Sequence, residues 1–224
     1  MEMEKYEHQV RTGLDVLINE KLEFIKGKKV GLVTNHTGID RSGKPNYEIL
    51  MQLANVDLQV VFAPEHGFYG NVSAGQKVDG QEQDGLPVIY SLYGKTRKPT
   101  PDMFDGLDLI VYDIQDIGAR FYTYISTLGL VMEAAAEAKI PMILLDRPNP
   151  LSGLNIEGPI LDPKHKSFVG MYPIPICYGL TVGELARMIV GEKWIAHIPD
   201  LIVIELEGWK RTMFYDETGM PWVN

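Results

Sequence analysis

Lys28-Lys-Val-Gly-Leu-Val-Thr-Asn35 runs from two lysines through consecutive apolar positions into a polar end. Apolar residues on successive positions suit a strand whose sheet is covered by helices on both faces. The same texture recurs at Leu58 to Ala63, Pro87 to Leu92, Leu107 to Tyr112, Met142 to Leu145 and Leu201 to Leu206. Between these runs lie helical patterns. Leu14, Leu17, Ile18, Leu22 and Ile25 form a stripe over Leu14 to Ile25, Tyr47 to Ala54 is shorter, and Phe121 to Ala138 is the longest. Thr181-Val-Gly-Glu184 has capping-box spacing and opens a helix through Val190. Strand, helix, strand in this order predicts an α/β fold, a mostly parallel sheet with helices on both faces.

Composition limits the alternatives. With 224 residues, 45% hydrophobic and 23% charged, the chain has the make-up of a globular domain large enough to form its core without a staple. Its single cysteine, Cys177, excludes an internal disulfide and any zinc site built on two thiolates. Twenty-one basic residues against thirty acidic ones give a net charge of −9, which argues against nucleic acid as a partner. No window holds the ~18 apolar residues of a membrane span. Met1-Glu-Met-Glu-Lys5 lacks the pattern of a signal peptide, so the chain as written reads as cytoplasmic.

In open parallel sheets, ligands bind beyond the carboxyl ends of the strands. Polar residues collect at four such ends: Thr34-Asn35-His36-Thr37-Gly38, Pro64-Glu65-His66-Gly67, Asp113 to Asp116 with Gly118-Ala119-Arg120, and Asp146-Arg147-Pro148-Asn149-Pro150. Turn formation accounts for Asp, Asn and Gly, but it does not require Glu, His or Arg. Glu65 stands out. A carboxyl at the end of an apolar strand is partly desolvated, which raises its pKa and suits it to donate a proton, although a salt bridge to Arg120 or Arg147 is the alternative. Glu157 is the natural second carboxylate for a glycosidase. Arg120 opens the long helix, where an anion is attracted; Phe121 and Tyr124 read as core, and Tyr122 as either core or ligand contact. Two long loops, Gly67 to Gly85 and Pro148 to Pro175, are expected to be ordered and to shape the site.

Several other chemistries lack their spacing. GxGxxG, GxxxxGK[ST] and GxSxG are absent, and no two histidines stand as HxxxH. No cofactor is expected. A metal-assisted hydrolase using Asp113, Asp116 and His66 remains an alternative, as does a saccharide-binding domain without catalysis.

Gly31-Leu-Val-Thr-Asn35 with Thr37-Gly38, Pro64-Glu-His-Gly67, Ser91-Leu-Tyr-Gly-Lys-Thr-Arg-Lys-Pro-Thr100, Asp113-Ile-Gln-Asp-Ile-Gly-Ala-Arg-Phe-Tyr-Thr-Tyr124, Asp146-Arg-Pro-Asn-Pro150, Glu157-Gly-Pro159 and Thr181-Val-Gly-Glu-Leu-Ala186 together resemble the NamZ family of exo-β-N-acetylmuramidases. The resemblance implies removal of N-acetylmuramic acid from the non-reducing ends of peptidoglycan fragments. It also implies a Rossmann-like amino-terminal domain that carries the site, packed against a smaller carboxy-terminal domain. Glu65 matches the family's catalytic glutamate and Glu157 the glutamate of its EGP motif. Asn35, His66, Asp113, Asp116, Arg120, Tyr122, Asp146, Arg147 and Asn149 form the expected substrate-binding set, with Arg120 or Arg147 pairing the sugar's carboxylate. Residues 1–207 are expected to form the catalytic domain. Residues 208–224, aromatic-rich and without a recognisable closing element, are expected to begin a connection to the second domain.

Overall fold

The computed structural model describes residues 9–64, 87–94 and 96–223. Its strands are β1 (Lys29–Val33), β2 (Asp57–Ala63), β3 (Val88–Ser91), β4 (Leu109–Tyr112), β5 (Met142–Leu145), β6 (Ile156–Glu157), β7 (Cys177–Tyr178) and β8 (Leu201–Ile204). Six of them make one sheet in the order β3-β2-β1-β4-β5-β8, and every neighbouring pair is parallel. This is the Rossmann-like order. The chain leaves β1 toward one edge and returns at β4 toward the other, so the strand order reverses between β1 and β4.

The consecutive apolar positions divide between the two faces, as their period of two requires. Val33, Ile110, Tyr112, Met142 and Leu144 join the core beneath α3 (Tyr124–Ala138) and α4 (Val182–Gly191). Their sequence neighbours Val30, Leu32, Leu109, Val111, Ile143 and Leu145 join the opposite core, with α1 (Gly13–Glu20) and α2 (Asn46–Gln52). Helices therefore cover both faces, and the expected fold class stands. The capping box at Thr181 and Glu184 also forms, and an unanticipated one joins Thr12 to Asp15 at the start of α1.

Three boundaries differ from expectation for identifiable reasons. The stripe from Leu14 to Ile25 is broken at Lys21 (φ −130°), and its remainder is a 3-10 turn, Leu22–Phe24, that still buries Ile25. The long helix begins at Tyr124, not Phe121. Gly118 turns the chain at φ +78°, after which Ala119 pairs with Cys177 and the Arg120 N–H donates to Ile176 O, so these residues are held to the neighbouring chain and not wound into the helix. Within the second long loop, β6 and β7 form an antiparallel ribbon that pairs Glu157 with Cys177 and Ile156 with Tyr178. Strands of two residues carry too little pattern to be read in advance.

The first turn of α1 lies directly on the main chain of the sheet. A Cβ added to Gly13 would stand 2.4 Å from Asp146 N and 2.6 Å from Ile204 O, both rigid backbone atoms. Gly13→Ala is therefore expected to cost about 1–3 kcal/mol and to lower the melting temperature by about 2–10 °C. Gly191→Ala, with nothing within 4 Å of its new methyl, should leave the melting temperature unchanged or raise it slightly. Calorimetric melting of both variants checks the contrast.

Candidate active site

The polar ends of β1, β4 and β5 meet around one buried ion pair. Arg147 Nε donates to Asp113 Oδ1 at 2.6 Å and its Nη2 to Oδ2 at 3.0 Å, while the side chains are only 1% and 0% exposed. Nη2 also donates to Ile39 O at 3.0 Å, in the loop between β1 and α2. Asn46, the first residue of α2, donates to Asp113 Oδ2 at 2.8 Å, and the Thr34 hydroxyl donates to Asp113 O at 2.9 Å. Both expected ligands, Asp113 and Arg147, thus spend their hydrogen bonds on each other and on the scaffold.

Asp146 and Asn149 are similarly engaged. Asp146 Oδ1 accepts from Gly183 N at 2.7 Å and Arg147 N at 3.0 Å, and Oδ2 accepts from Thr181 Oγ1 at 2.9 Å. It receives the start of α4, where a helix N-terminus favours negative charge. Burial nevertheless pushes its carboxyl up to about 6, against the lowering effect of those bonds. Asn149 donates to Leu180 O at 2.8 Å, accepts from Leu151 N at 2.9 Å, and packs against Gly118, where a Cβ would stand 2.3 Å from its Oδ1.

Asp116 ties the ribbon to the sheet. Its Oδ2 accepts from Gly118 N at 2.7 Å and from the Tyr178 hydroxyl on β7. Burial pushes this carboxyl up to about 6 as well, opposed by the bonds from Tyr178, Gly118 and Ile117. Arg120, in the turn before α3, lies against the same ribbon, where Nη1 donates to Pro159 O at 2.7 Å and to Ile174 O. Its partners are neutral carbonyls, and it forms no ion pair among the described residues. Glu157 faces solvent beside Cys177.

Above this floor, at the strand-order reversal, lies a cavity of about 100 Å³. His36, Thr37 and Gln115 line it from the ends of β1 and β4; Ile117, Tyr122 and Tyr124 line it from the turn into α3; and Tyr215, Trp222 and Val223 line it from the end of the chain. Asn35 Oδ1 accepts from Thr37 N at 3.0 Å and Thr37 Oγ1 at 2.6 Å, and Gln115 N donates to Thr37 Oγ1 at 3.1 Å. Gln115 Nε2 donates to Asp116 O at 2.7 Å and Pro148 O at 2.8 Å. These bonds fix both amide orientations, and Gln115 Oε1 has no hydrogen-bond partner among the described residues. Tyr122 and Tyr124 meet edge to face at 4.8 Å.

Of the expected set, the cavity includes Tyr122 directly and Asn35 through Thr37, with Asp116 just behind Gln115. Asp113, Arg147, Asp146 and Asn149 are not among its lining residues and are engaged with the strand ends instead. Glu157 is on the ribbon, and Arg120 bonds to the chain beside it. Glu65, His66 and the loop from Gly67 to Gly85 lie outside the described residues. Sequence reasoning passed over Gln115 and Thr37, although both stand in the polar strand ends it singled out; its reading of Tyr124 as core stands, the ring also lining the cavity, whereas Phe121, read as core too, is 58% exposed. Tyr215 and Trp222 gave no local signal. Among the described residues, no group of three or more His, Cys, Asp or Glu gathers as a metal-ligand set.

Two outcomes follow from this geometry. Asp113→Asn leaves a buried guanidinium without its counter-charge and should destabilise the fold by about 3–5 kcal/mol, read from the urea midpoint. Asp116 and Asp146 hold protons more tightly folded than unfolded, so their contribution to stability is full below about pH 4 and is lost as pH rises through about 6. Asp116→Asn should remove its share of this slope, and urea midpoints between pH 4 and 7 will be flatter than in the wild type.

The family model described as "Exo-beta-N-acetylmuramidase NamZ, N-terminal" matches residues 30–224. The chain is 48% identical over 217 residues to the peptidoglycan beta-N-acetylmuramidase NamZ of Bacillus subtilis (strain 168), covering 96% of this chain and 52% of that protein. A crystal structure of a DUF1343 family protein from Bacteroides fragilis NCTC 9343 superposes with a TM-score of 0.89 at 47% identity, covering 96% of this chain and 55% of the other. A second DUF1343 protein from that organism gives 0.78 at 38% identity, covering 92% and 54%. The chain spans about half the length of the relatives it matches. On the strength of that match, the chain belongs to the NamZ amino-terminal domain family.

Proposed function

We propose that the chain takes part in hydrolysing peptidoglycan fragments, releasing N-acetylmuramic acid from their non-reducing ends by carboxylate acid/base catalysis. The observation that carries this reading is the cavity itself. It lies at the carboxyl ends of β1 and β4 and is lined by aromatic rings together with amide, hydroxyl and imidazole groups, as suits a hydroxyl-rich sugar ring. The 48% identity to a named β-N-acetylmuramidase supports the sugar.

In this reading Glu65, directly after Pro64 at the end of β2, protonates the leaving glycosidic oxygen. Glu157 supplies the second carboxylate from its ribbon, which Asp116 and Tyr178 hold against the sheet. Of the two arginines considered for the lactyl carboxylate, Arg120 is the better suited. Among the described residues its charge meets carbonyl oxygens and no carboxylate, whereas that of Arg147 is matched by Asp113. Asp113, Arg147, Asp146 and Asn149 act from beneath, holding the strand ends in register. His66 belongs to the same strand end as Glu65 and is assigned to substrate binding with Asn35 and Tyr122. The cavity would serve a binding module without catalysis equally well, and turnover separates the two readings.

The test uses the full-length protein and a chromogenic β-N-acetylmuramide. Glu65→Gln and Glu157→Gln should each lower kcat by about 10²–10⁴-fold, as expected on losing a general acid or its partner. Wild-type rates in either variant would remove that glutamate from its role. Binding without any turnover by the wild type would leave the binding module as the reading.

A further inference from the structure

We infer that the segment from Tyr215 to Val223 is a wall of the saccharide site, with Trp222 and Tyr215 forming the platform on which a pyranose ring stacks. This rests on the glycosidase reading of the same cavity. The two rings meet edge to face, with centroids 5.0 Å apart and planes at 81°, and both line the cavity together with the Tyr122–Tyr124 pair. The segment is anchored by other residues. Thr218 and Met220 are 3% and 7% exposed, whereas Trp222 is 51% exposed. The indole is thus half exposed while it lines the cavity. A sugar offers an apolar C–H face of matching size, with hydroxyls at its rim for groups such as Thr37 and Gln115.

The wall is held in place by Arg41. Its guanidinium donates to Gly219 O at 2.7 Å and Thr218 O at 3.3 Å, and also to Val10 O near the start of the described chain. Gly219 takes φ +65°, a conformation that favours glycine, and a Cβ there would stand 2.9 Å from Nη1 at the movable end of Arg41. The Tyr215 N–H donates to Pro150 O at 3.3 Å and its hydroxyl to Pro221 O at 3.2 Å. Trp222 and Tyr215 are contact residues, and Arg41 is a positioning residue that acts through them.

Calorimetric titration with a muramic-acid disaccharide and with N,N′-diacetylchitobiose tests the wall without relying on turnover. Trp222→Ala should weaken binding of the muramic-acid disaccharide about tenfold while its melting temperature stays close to that of the wild type, and Trp222→Phe should restore binding to within about threefold. Arg41→Ala should raise KM for the chromogenic muramide in step with Trp222→Ala, with kcat held within about twofold. Unchanged affinity in Trp222→Ala, or binding of neither saccharide, overturns the proposal. Trp222-dependent binding without hydrolysis by the wild type upholds the wall and removes the glycosidase reading. Hydrolysis with an unchanged KM in Trp222→Ala upholds the glycosidase and removes the wall.

Discussion

A guanidinium and a carboxylate taken out of water can remain charged only if they stay together, and much of this molecule is arranged around one such pair. Arg147 and Asp113 are almost wholly buried and joined by two hydrogen bonds. Desolvating either charge alone costs several kcal/mol, so each holds the other in place. The pair links the ends of β4 and β5, and through Ile39 O, Asn46 and Thr34 it gathers the end of β1 and the start of α2. The reversal of strand order opens a crevice at this end of the sheet, and the buried pair ties together the strand ends beside it.

Two further carboxylates extend this arrangement outward. Asp146 receives the first turn of α4 and is met by Thr181, the residue that caps the same helix. Asp116 reaches the other way, to Tyr178 on the ribbon that bears Glu157. Burial raises both carboxyls to about 6, so hydrogen bonding offsets only part of their desolvation. Many of the acidic and amide groups at the strand ends therefore serve to position others. The groups that face the cavity are more aromatic, as in ligand pockets generally.

Much of the fold was legible because burial on two faces leaves a direct mark on composition. Val30 to Val33 and Leu109 to Tyr112 are almost wholly apolar since each side chain meets one helical layer or the other. Thr181 and Glu184 were legible because a capping box is local, its partners lying three residues apart. The ribbon was not legible: Ile156–Glu157 and Cys177–Tyr178 are held by each other and by Ala119 across long stretches of chain. The same holds for Tyr215 and Trp222, which line the cavity beside Tyr122 from a distant stretch of the chain.

Periodicity, capping and turn chemistry are properties of the chain read in order, and they were enough to set the six strands of the main sheet, most of the helices and the polar ends of β1, β4 and β5. Which of those polar groups face the cavity is a matter of packing, and no reading along the chain could supply it. Asp113, Gln115 and Asp116 are neighbours in the chain, yet one is paired with Arg147, one lines the cavity and one anchors the ribbon. Adjacent side chains at a strand end diverge, and the direction each takes is set by the register of β4 between β1 and β5 and by the charges that meet it there.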